Sequence, residues 1–147
     1  GQEGNFRSGT EGTPAIFGFA AACSAVSATF KEDSARELAM IAALAERLGA
    51  VEGIVINGCH EAPHILSLSI PGVPTQNTIN ILQDHGICVS AGSACAKGHR
   101  SHVLEAMGVK PEVMDGSFRV SVCRDTTQEE LDKLCDVLID EVLPRAR

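Results

Sequence analysis

The residues best suited to chemistry in this sequence lie in one segment, from Val89 to Gly108. Near its middle, Cys95 is surrounded by alanine, glycine and serine, small residues that let a loop move. Four side chains that can carry positive charge follow it closely: Lys97, His99, Arg100 and His102. A cysteine attacks as a thiolate, and nearby cations raise the ionised fraction of its thiol at neutral pH. The segment therefore predicts a nucleophilic cysteine in a mobile loop.

A short helix is predicted directly after this loop. Ser101 is a good N-cap for the sequence HVLEAM, and Gly108 suits its end. The amino terminus of a helix carries partial positive charge, which would add to the effect of the cations on Cys95. Two simpler interpretations stay open: Cys95 is a surface thiol without function, and the basic residues are a solvated loop face or a docking surface for a partner.

Composition narrows the class of protein. The 147 residues are 44% hydrophobic and fit one domain with a real core. The formal net charge of -7 disfavours a nucleic-acid partner. Six cysteines without a C-x-x-C pair indicate reduced thiols in the cytoplasm rather than disulfides or a zinc ribbon. The longest apolar run, Ala15 to Cys23, is too short to cross a bilayer, so no membrane partner is expected.

Two helices are predicted before the first strand. The first begins at Thr13 and Pro14 and is apolar nearly all round, so it is either a core helix or one that is covered by a partner domain or subunit. The second begins at a capping box formed by Ser34 and Glu37 and ends at Gly49. The chain therefore opens with an all-helical region.

Strands and helices alternate in the remainder of the chain. Short strands are predicted over 54–56, 65–70, 87–89 and 118–122, and helices over 78–85 and 127–144. In the last strand Arg119 faces away from the core. This order predicts a two-layer α/β or α+β sandwich in which helices flank a small sheet. The apolar surroundings of four cysteines predict buried structural thiols at Cys23, Cys88, Cys123 and Cys135.

Five short motifs, taken in order, resemble the pyridoxal-phosphate-dependent cysteine desulfurases of the NifS/IscS type, which are fold type I, class V aminotransferases. Each motif alone is weakly specific, but the five together extend over nearly the whole chain. They are R-S-G-T at 7–10, I-N-G at 56–58, G-I-x-V-S-x-G-S-A-C at 86–95, S-H-V-L-x-A-M-G at 101–108, and S-F-R-V-S with T-T-x-E-E within 117–130.

The resemblance implies a function and three site residues. In that family pyridoxal phosphate forms an imine with L-cysteine, a catalytic cysteine attacks the substrate sulfur, and alanine leaves while the enzyme keeps a persulfide. Cys95 matches the nucleophile, Arg119 matches the arginine that holds the substrate α-carboxylate, and Thr10 matches the residue that reaches the cofactor phosphate of the other subunit. The implied partners are a second subunit in a homodimer and a sulfur-acceptor protein such as an iron–sulfur scaffold.

The chain departs from the family pattern at its cofactor anchor. The family's lysine lies upstream of R-S-G-T in a Ser-x-His-Lys setting, and none of the four lysines here has that context. We therefore expect the carboxy-terminal portion of a longer enzyme, with residues 1–12 as a loop from the large domain, residues 13–147 as the small domain with its leading helices, and no activity in this portion alone. Smaller departures are Arg100 for a proline, Ser67 for an asparagine, and Pro74 and Thr75 for Gly-Glu.

The alternative to an enzyme is a non-catalytic module that carries sulfur, binds a metal or dimerises. A metal site would need separate segments to converge, and we expect none. Its candidate ligands are Cys59, His60, His64, His99 and His102. For Arg119, an exposed or ion-paired strand residue without function is the simpler interpretation.

Overall fold

The computed structural model describes residues 4, 6, 9–59, 62–92 and 100–146. The chain divides into two compact units, Gly1–Glu32 and Asp33–Arg147. The first unit consists mainly of the amino-terminal part of one long helix. The second contains the rest of that helix, all the strands and the candidate site.

Helix α1 runs from Thr13 to Gly49 without a break. The predicted division at Ser34 is wrong, because Ser34 and Glu37 lie inside this helix. No glycine or proline occurs between Phe19 and Leu48, and alanine, leucine and glutamate, which favour helix, are frequent there. A capping box needs a non-helical residue at its first position, and nothing in this segment forces one.

The first unit leaves large apolar side chains of α1 uncovered. Ile16, Phe17, Phe19, Val26 and Phe30 are each between 52% and 75% exposed. By length and composition α1 could cross a membrane, which is weak evidence because core helices of soluble proteins satisfy the same criteria. The expectation of no such segment counted only the uninterrupted apolar run and was too narrow.

The second unit is built on a three-stranded antiparallel sheet in the order β1-β2-β3. The strands are β1 Val55–Asn57, β2 Ile65–Ser69 and β3 Ser117–Ser121. The strand predicted over 87–89 does not form, although these residues lie in the described part of the chain. In its place there is a single backbone bridge between Ser90 and Arg119.

Short helices accompany this sheet. They are α2 Thr75–Asp84, α3 His102–Ala106, α4 Pro111–Met114 and α5 Gln128–Val137, which continues as a π-helical turn over Leu138–Val142 and a 3₁₀ turn over Leu143–Arg145. Helix α5 begins at the predicted capping box, in which the Thr127 and Glu130 side chains each accept a hydrogen bond from the other residue's backbone N–H. The small sheet with helices confirms the predicted α+β architecture.

Alternation along the strands separates a core face of the sheet from a polar face. Leu66 and Leu68 on β2 and Phe118 on β3 are almost fully buried in one core, together with side chains from the carboxy-terminal part of α1 and from α5. Residues between them, including Ser67 and Arg119, lie on the polar face. The prediction that Arg119 points away from the core is confirmed.

The cysteines are less buried than their apolar neighbours suggested. Of the five that the structure describes, only Cys135 is buried, so the expectation of buried thiols is wrong for Cys23, Cys88 and Cys123. Cys23 lies on the exposed part of α1, Cys88 lies where the expected strand does not form, and Cys123 lies in the turn after β3. Burial raises the pKa of the Cys135 thiol.

Candidate functional site

A cavity of about 200 Å³ lies beside the polar face of the sheet and helix α3. Side chains of β1, β2 and β3 contribute Asn57, Ser67 and Arg119 to its lining, and α3 contributes His102 and Met107. The cavity is therefore a place where a small ligand would meet polar groups from all three strands.

Strand register brings the polar groups into one row. Asn57 pairs with Ser67 across β1 and β2, and Ser67 pairs with Arg119 across β2 and β3. Directly paired residues of an antiparallel sheet have Cβ atoms about 4.5–5.5 Å apart, with side chains on the same face. Ser90 extends the row, because its isolated bridge is made to Arg119.

The Arg119 guanidinium is held by the segment that leads towards Cys95. Its Nη2 donates to the Gly92 carbonyl oxygen at 3.0 Å and to Ser90 Oγ at 3.3 Å, and Ser90 Oγ itself donates to the Gly92 carbonyl at 3.2 Å. Nε and Nη1 of Arg119 make no hydrogen bond to a described residue, which leaves an open fork of N–H groups, and a guanidinium fork matches a carboxylate.

Asn57 is largely buried and fixes the hydroxyls next to it. Its Nδ2 donates to Ser69 Oγ at 2.8 Å and to Ser67 Oγ at 3.4 Å. The residue is 7% exposed, and a buried amide without partners would cost free energy. This network orders the polar face where it meets the cavity.

Arg100, one of the cations predicted to activate Cys95, is paired with a carboxylate instead. Its Nε and Nη2 donate to the two oxygens of Asp115 at 2.7 and 2.8 Å. Arg100 lowers the pKa of Asp115, and Asp115 raises the pKa of Arg100. The predicted cap of α3 is confirmed, since Ser101 Oγ accepts a hydrogen bond from the Leu104 N–H. The negative charge of Asp115 therefore offsets the positive charge of Arg100.

Proteins with similar sequences indicate the family of this chain. A profile of the aminotransferase class-V family matches residues 1–134. The chain belongs to this family. Among its relatives, the mitochondrial cysteine desulfurase of Arabidopsis thaliana is 34% identical, with 97% of this chain and 32% of the relative covered. A cysteine desulfurase of Nostoc is 31% identical, with 99% of this chain and 38% of the relative covered.

Solved structures of NifS-like proteins have the same fold. One matches with a TM-score of 0.82 and 32% identity, over 98% of this chain and 37% of that protein. Another, from Rickettsia africae, matches with a TM-score of 0.79 and 28% identity, over 95% of this chain and 38% of that protein. The resemblance to cysteine desulfurases is confirmed, and this class-V chain spans about a third of the length of the relatives it matches.

Of the three predicted site residues, one is found among the described residues that line the cavity. Arg119 is there, on β3. Cys95 lies outside the described residues, as do the nearby Lys97 and His99. Thr10 is exposed and belongs to the first unit. The roles of all three remain predictions.

The family implies pyridoxal phosphate, and the described residues do not by themselves fit it. No described lysine lines the cavity, and Lys133 donates to the backbone carbonyl of His85 instead. The polar row offers a guanidinium and hydroxyls, which suit a carboxylate but supply no amine to carry the cofactor. Among the residues that are described, no group of three or more His, Cys, Asp or Glu is placed to hold a metal ion, and His60 and His99 lie outside that set.

Several residues that line this cavity or hold Arg119 were not predicted from sequence as members of a site. Asn57 stood in the I-N-G motif without a role, and Ser67 was noted only as a departure from the family pattern. Ser90 and Gly92 were noted only in the sequence around Cys95. The alternation of β2 carried a usable signal, since every second residue from Ile65 to Ser69 had to face away from the core. Which strand positions stand opposite each other could not be known before the register.

Proposed function

We propose that this chain is the carboxy-terminal part of a pyridoxal-phosphate-dependent cysteine desulfurase, in which a sulfur atom moves from L-cysteine to Cys95 and L-alanine is released. Family membership and the cysteine desulfurase relatives support the reaction class. The single structural observation behind the proposal is the open fork of Arg119 in a cavity at the start of the Cys95 segment.

Arg119 binds the substrate α-carboxylate in this proposal. The guanidinium is oriented by Ser90 and Gly92 and lines a cavity of about 200 Å³, room for a small amino acid. The position of Arg119 in the cavity therefore favours the binding role over the simpler interpretation.

Cys95 is the sulfur acceptor. Cys95 is three positions after Gly92, whose carbonyl oxygen lies 3.0 Å from Arg119 Nη2. Three residues of chain reach at most about 11 Å, so Cys95 is tethered close to any ligand on Arg119. The Cys95 thiolate attacks the substrate sulfur, so that an S–S bond forms as the Cβ–S bond of the substrate breaks. The electron pair of the broken bond stays on the carbon skeleton, which is protonated and leaves as L-alanine, and the persulfide on Cys95 then passes its outer sulfur to an acceptor such as an iron–sulfur scaffold.

Pyridoxal phosphate, when bound, acts as an electron sink at the substrate α-carbon. In the proposal its lysine would belong to a part of the protein upstream of Arg7, and the Thr10 hydroxyl would hold the cofactor phosphate of the second subunit of a homodimer. Reduced thiols favour a cytoplasmic enzyme, although one of the relatives is mitochondrial.

The test uses the chain joined to its upstream half, with L-alanine formation from L-cysteine as the readout. Cys95→Ser should lower the rate by at least about a hundredfold, because the nucleophile is removed. Cys88→Ser is the matched control, an exposed thiol seven residues earlier, and should leave the rate unchanged. An undiminished rate in Cys95→Ser would refute the proposal.

A purely non-catalytic module remains the second candidate, because the exposed apolar side chains of α1 suit a protein that associates. The same experiment separates the two. An enzyme forms alanine and places one extra sulfur atom on the Cys95 peptide, which mass spectrometry detects, whereas a dimerisation or carrier module forms no alanine under any condition.

A further inference from the structure

Ser67 has a hydrogen to donate on the polar face. Its Oγ accepts from Asn57 Nδ2 at 3.4 Å, and the amide nitrogen has no lone pair to receive the hydroxyl proton in return. Within the described residues, Ser67 Oγ donates to no acceptor, and the side chain lines the cavity. Because the hydroxyl hydrogen can rotate about the Cβ–Oγ bond, it is available to donate to a ligand in that cavity.

Arg119 stands directly opposite Ser67 and lines the same cavity. A carboxylate has two oxygens and about four lone-pair sites, more than one guanidinium fork engages. The Cβ atoms of Ser67 and Arg119 are therefore about 4.5–5.5 Å apart on one face of the sheet, and both side chains line the cavity that would hold the carboxylate.

We infer that Ser67 is a second ligand-binding residue of the carboxylate site, donating its hydroxyl to an oxygen held by Arg119, and that Asn57 is the positioning residue that orients this hydroxyl. The inference rests on the proposed function for the identity of the substrate, an α-amino acid. Its chemistry applies to any small carboxylate, so it can be tested without the reaction.

Ser69 provides a matched control on the same strand and face. It also accepts a hydrogen bond from Asn57 Nδ2, at 2.8 Å, but it is fully buried and does not line the cavity. If Ser67 acts only by supporting Asn57, removal of either hydroxyl should have similar consequences. If Ser67 contacts the ligand, only its own removal should weaken binding.

The experiment titrates the isotope-labelled chain with sodium propionate and follows the Arg119 side-chain and Ser90 backbone N–H signals by NMR, with propionamide and sodium chloride as ligand controls. Propionate should shift these signals and the two controls should not. Ser67→Ala should weaken propionate binding roughly tenfold, the size expected for a hydrogen bond to a charged group. Ser67→Thr keeps the hydroxyl and should restore binding, while Ser69→Ala should leave it within about twofold.

Asn57→Ala should weaken binding less than Ser67→Ala, because the hydroxyl stays but loses its orientation. Equal propionate affinity in Ser67→Ala and the unchanged chain, with Arg119→Ala abolishing binding, would overturn the inference and leave the proposed function intact. Equal losses in Ser67→Ala and Ser69→Ala would also overturn it. The expected pattern in a protein that forms no alanine from cysteine would support the inference while refuting the proposed function.

Discussion

The two faces of the sheet contain neighbouring residues with opposite tasks. Leu68 and Phe118 are at most 1% exposed and hold β2 and β3 against the helices, whereas Ser67 and Arg119, adjacent to them in sequence, lie on the polar face of the sheet. Because side chains alternate along a strand, consecutive residues point in turn to the core face and to the polar face of the sheet. Substitution of the core residue in each pair should therefore change stability, and substitution of its neighbour on the polar face should change ligand binding.

The largest expected effect is a difference in stability between variants of Leu68 and variants of Ser67. Leu68→Ala removes a fully buried side chain and should lower the free energy of unfolding by about 2–5 kcal/mol in urea denaturation. Ser67→Ala should cost about 1 kcal/mol or less, because the weak hydrogen bond from Asn57 is its one described polar contact. Similar losses in both variants would show that the polar face contributes to folding as the core does.

The next effect concerns Gly116, where β2 and β3 meet at their ends. A Cβ at this position would lie 2.2 Å from the backbone oxygen of Ile70, which cannot move without disturbing the sheet. Gly116→Ala should therefore destabilise the chain by about 1–3 kcal/mol or more, measured by thermal or urea unfolding. Gly18→Ala is the control, because its Cβ meets nothing within 4 Å. A stable Gly116→Ala protein would mean that the ends of these strands are less closely packed than the structure shows.

Two thiols extend the comparison from the core to the surface. Cys123 is exposed in the turn after β3, and hydrogen bonds from the Asp125 backbone and the Thr126 hydroxyl lower its pKa, whereas burial raises the pKa of Cys135. Timed iodoacetamide labelling with mass spectrometry should show Cys123 modified at least about a hundredfold faster than Cys135, because the exposed thiolate is the nucleophile.

The same labelling experiment compares the reaction rate of Cys95 with that of Cys123, whose pKa is lowered. Its cationic surroundings predict that it reacts faster than the other five thiols near neutral pH. Thr126→Val should slow Cys123 towards an ordinary exposed thiol while leaving Cys95 unchanged. A Cys95 that reacts no faster than Cys59 would remove the evidence for activation.

The sequence predicted the elements of the second unit better than their pairing. Alternation in β2 and β3 and the Thr127 capping box are local signals, and both were confirmed. The unbroken α1 was missed because Ser34 and Glu37 match a capping box by type alone, while whether the backbone leaves the helix there depends on the whole segment. The strand predicted over 87–89 was wrong. Three apolar residues form a strand only when they pair with the backbone of a neighbouring strand, and here a single bridge forms.

The site was partly predictable for the same reason. Arg119 could be placed on the polar face from period-two alternation, but its contacts with Ser90 and Gly92 join positions 29 and 27 residues away in sequence. Arg100 counted as a free cation because its partner Asp115 lies 15 residues further along the chain, beyond α3. Such pairings are set by tertiary structure, which sequence patterns of this length do not contain.

The smallest effect concerns this exposed ion pair and its dependence on pH. Because Arg100 lowers the pKa of Asp115 in the folded chain, its contribution to stability is present above the unfolded-state pKa of about 3.9 and is lost as the pH falls through the lower folded-state value. Urea midpoints of Asp115→Asn and the unchanged chain should therefore differ slightly near pH 7 and converge in acid. Both partners are exposed and screened by salt, so 1 M sodium chloride should reduce the difference at pH 7. A difference that persists at low pH and in high salt would mean that Asp115 acts through its packing at the end of α4 rather than through its charge.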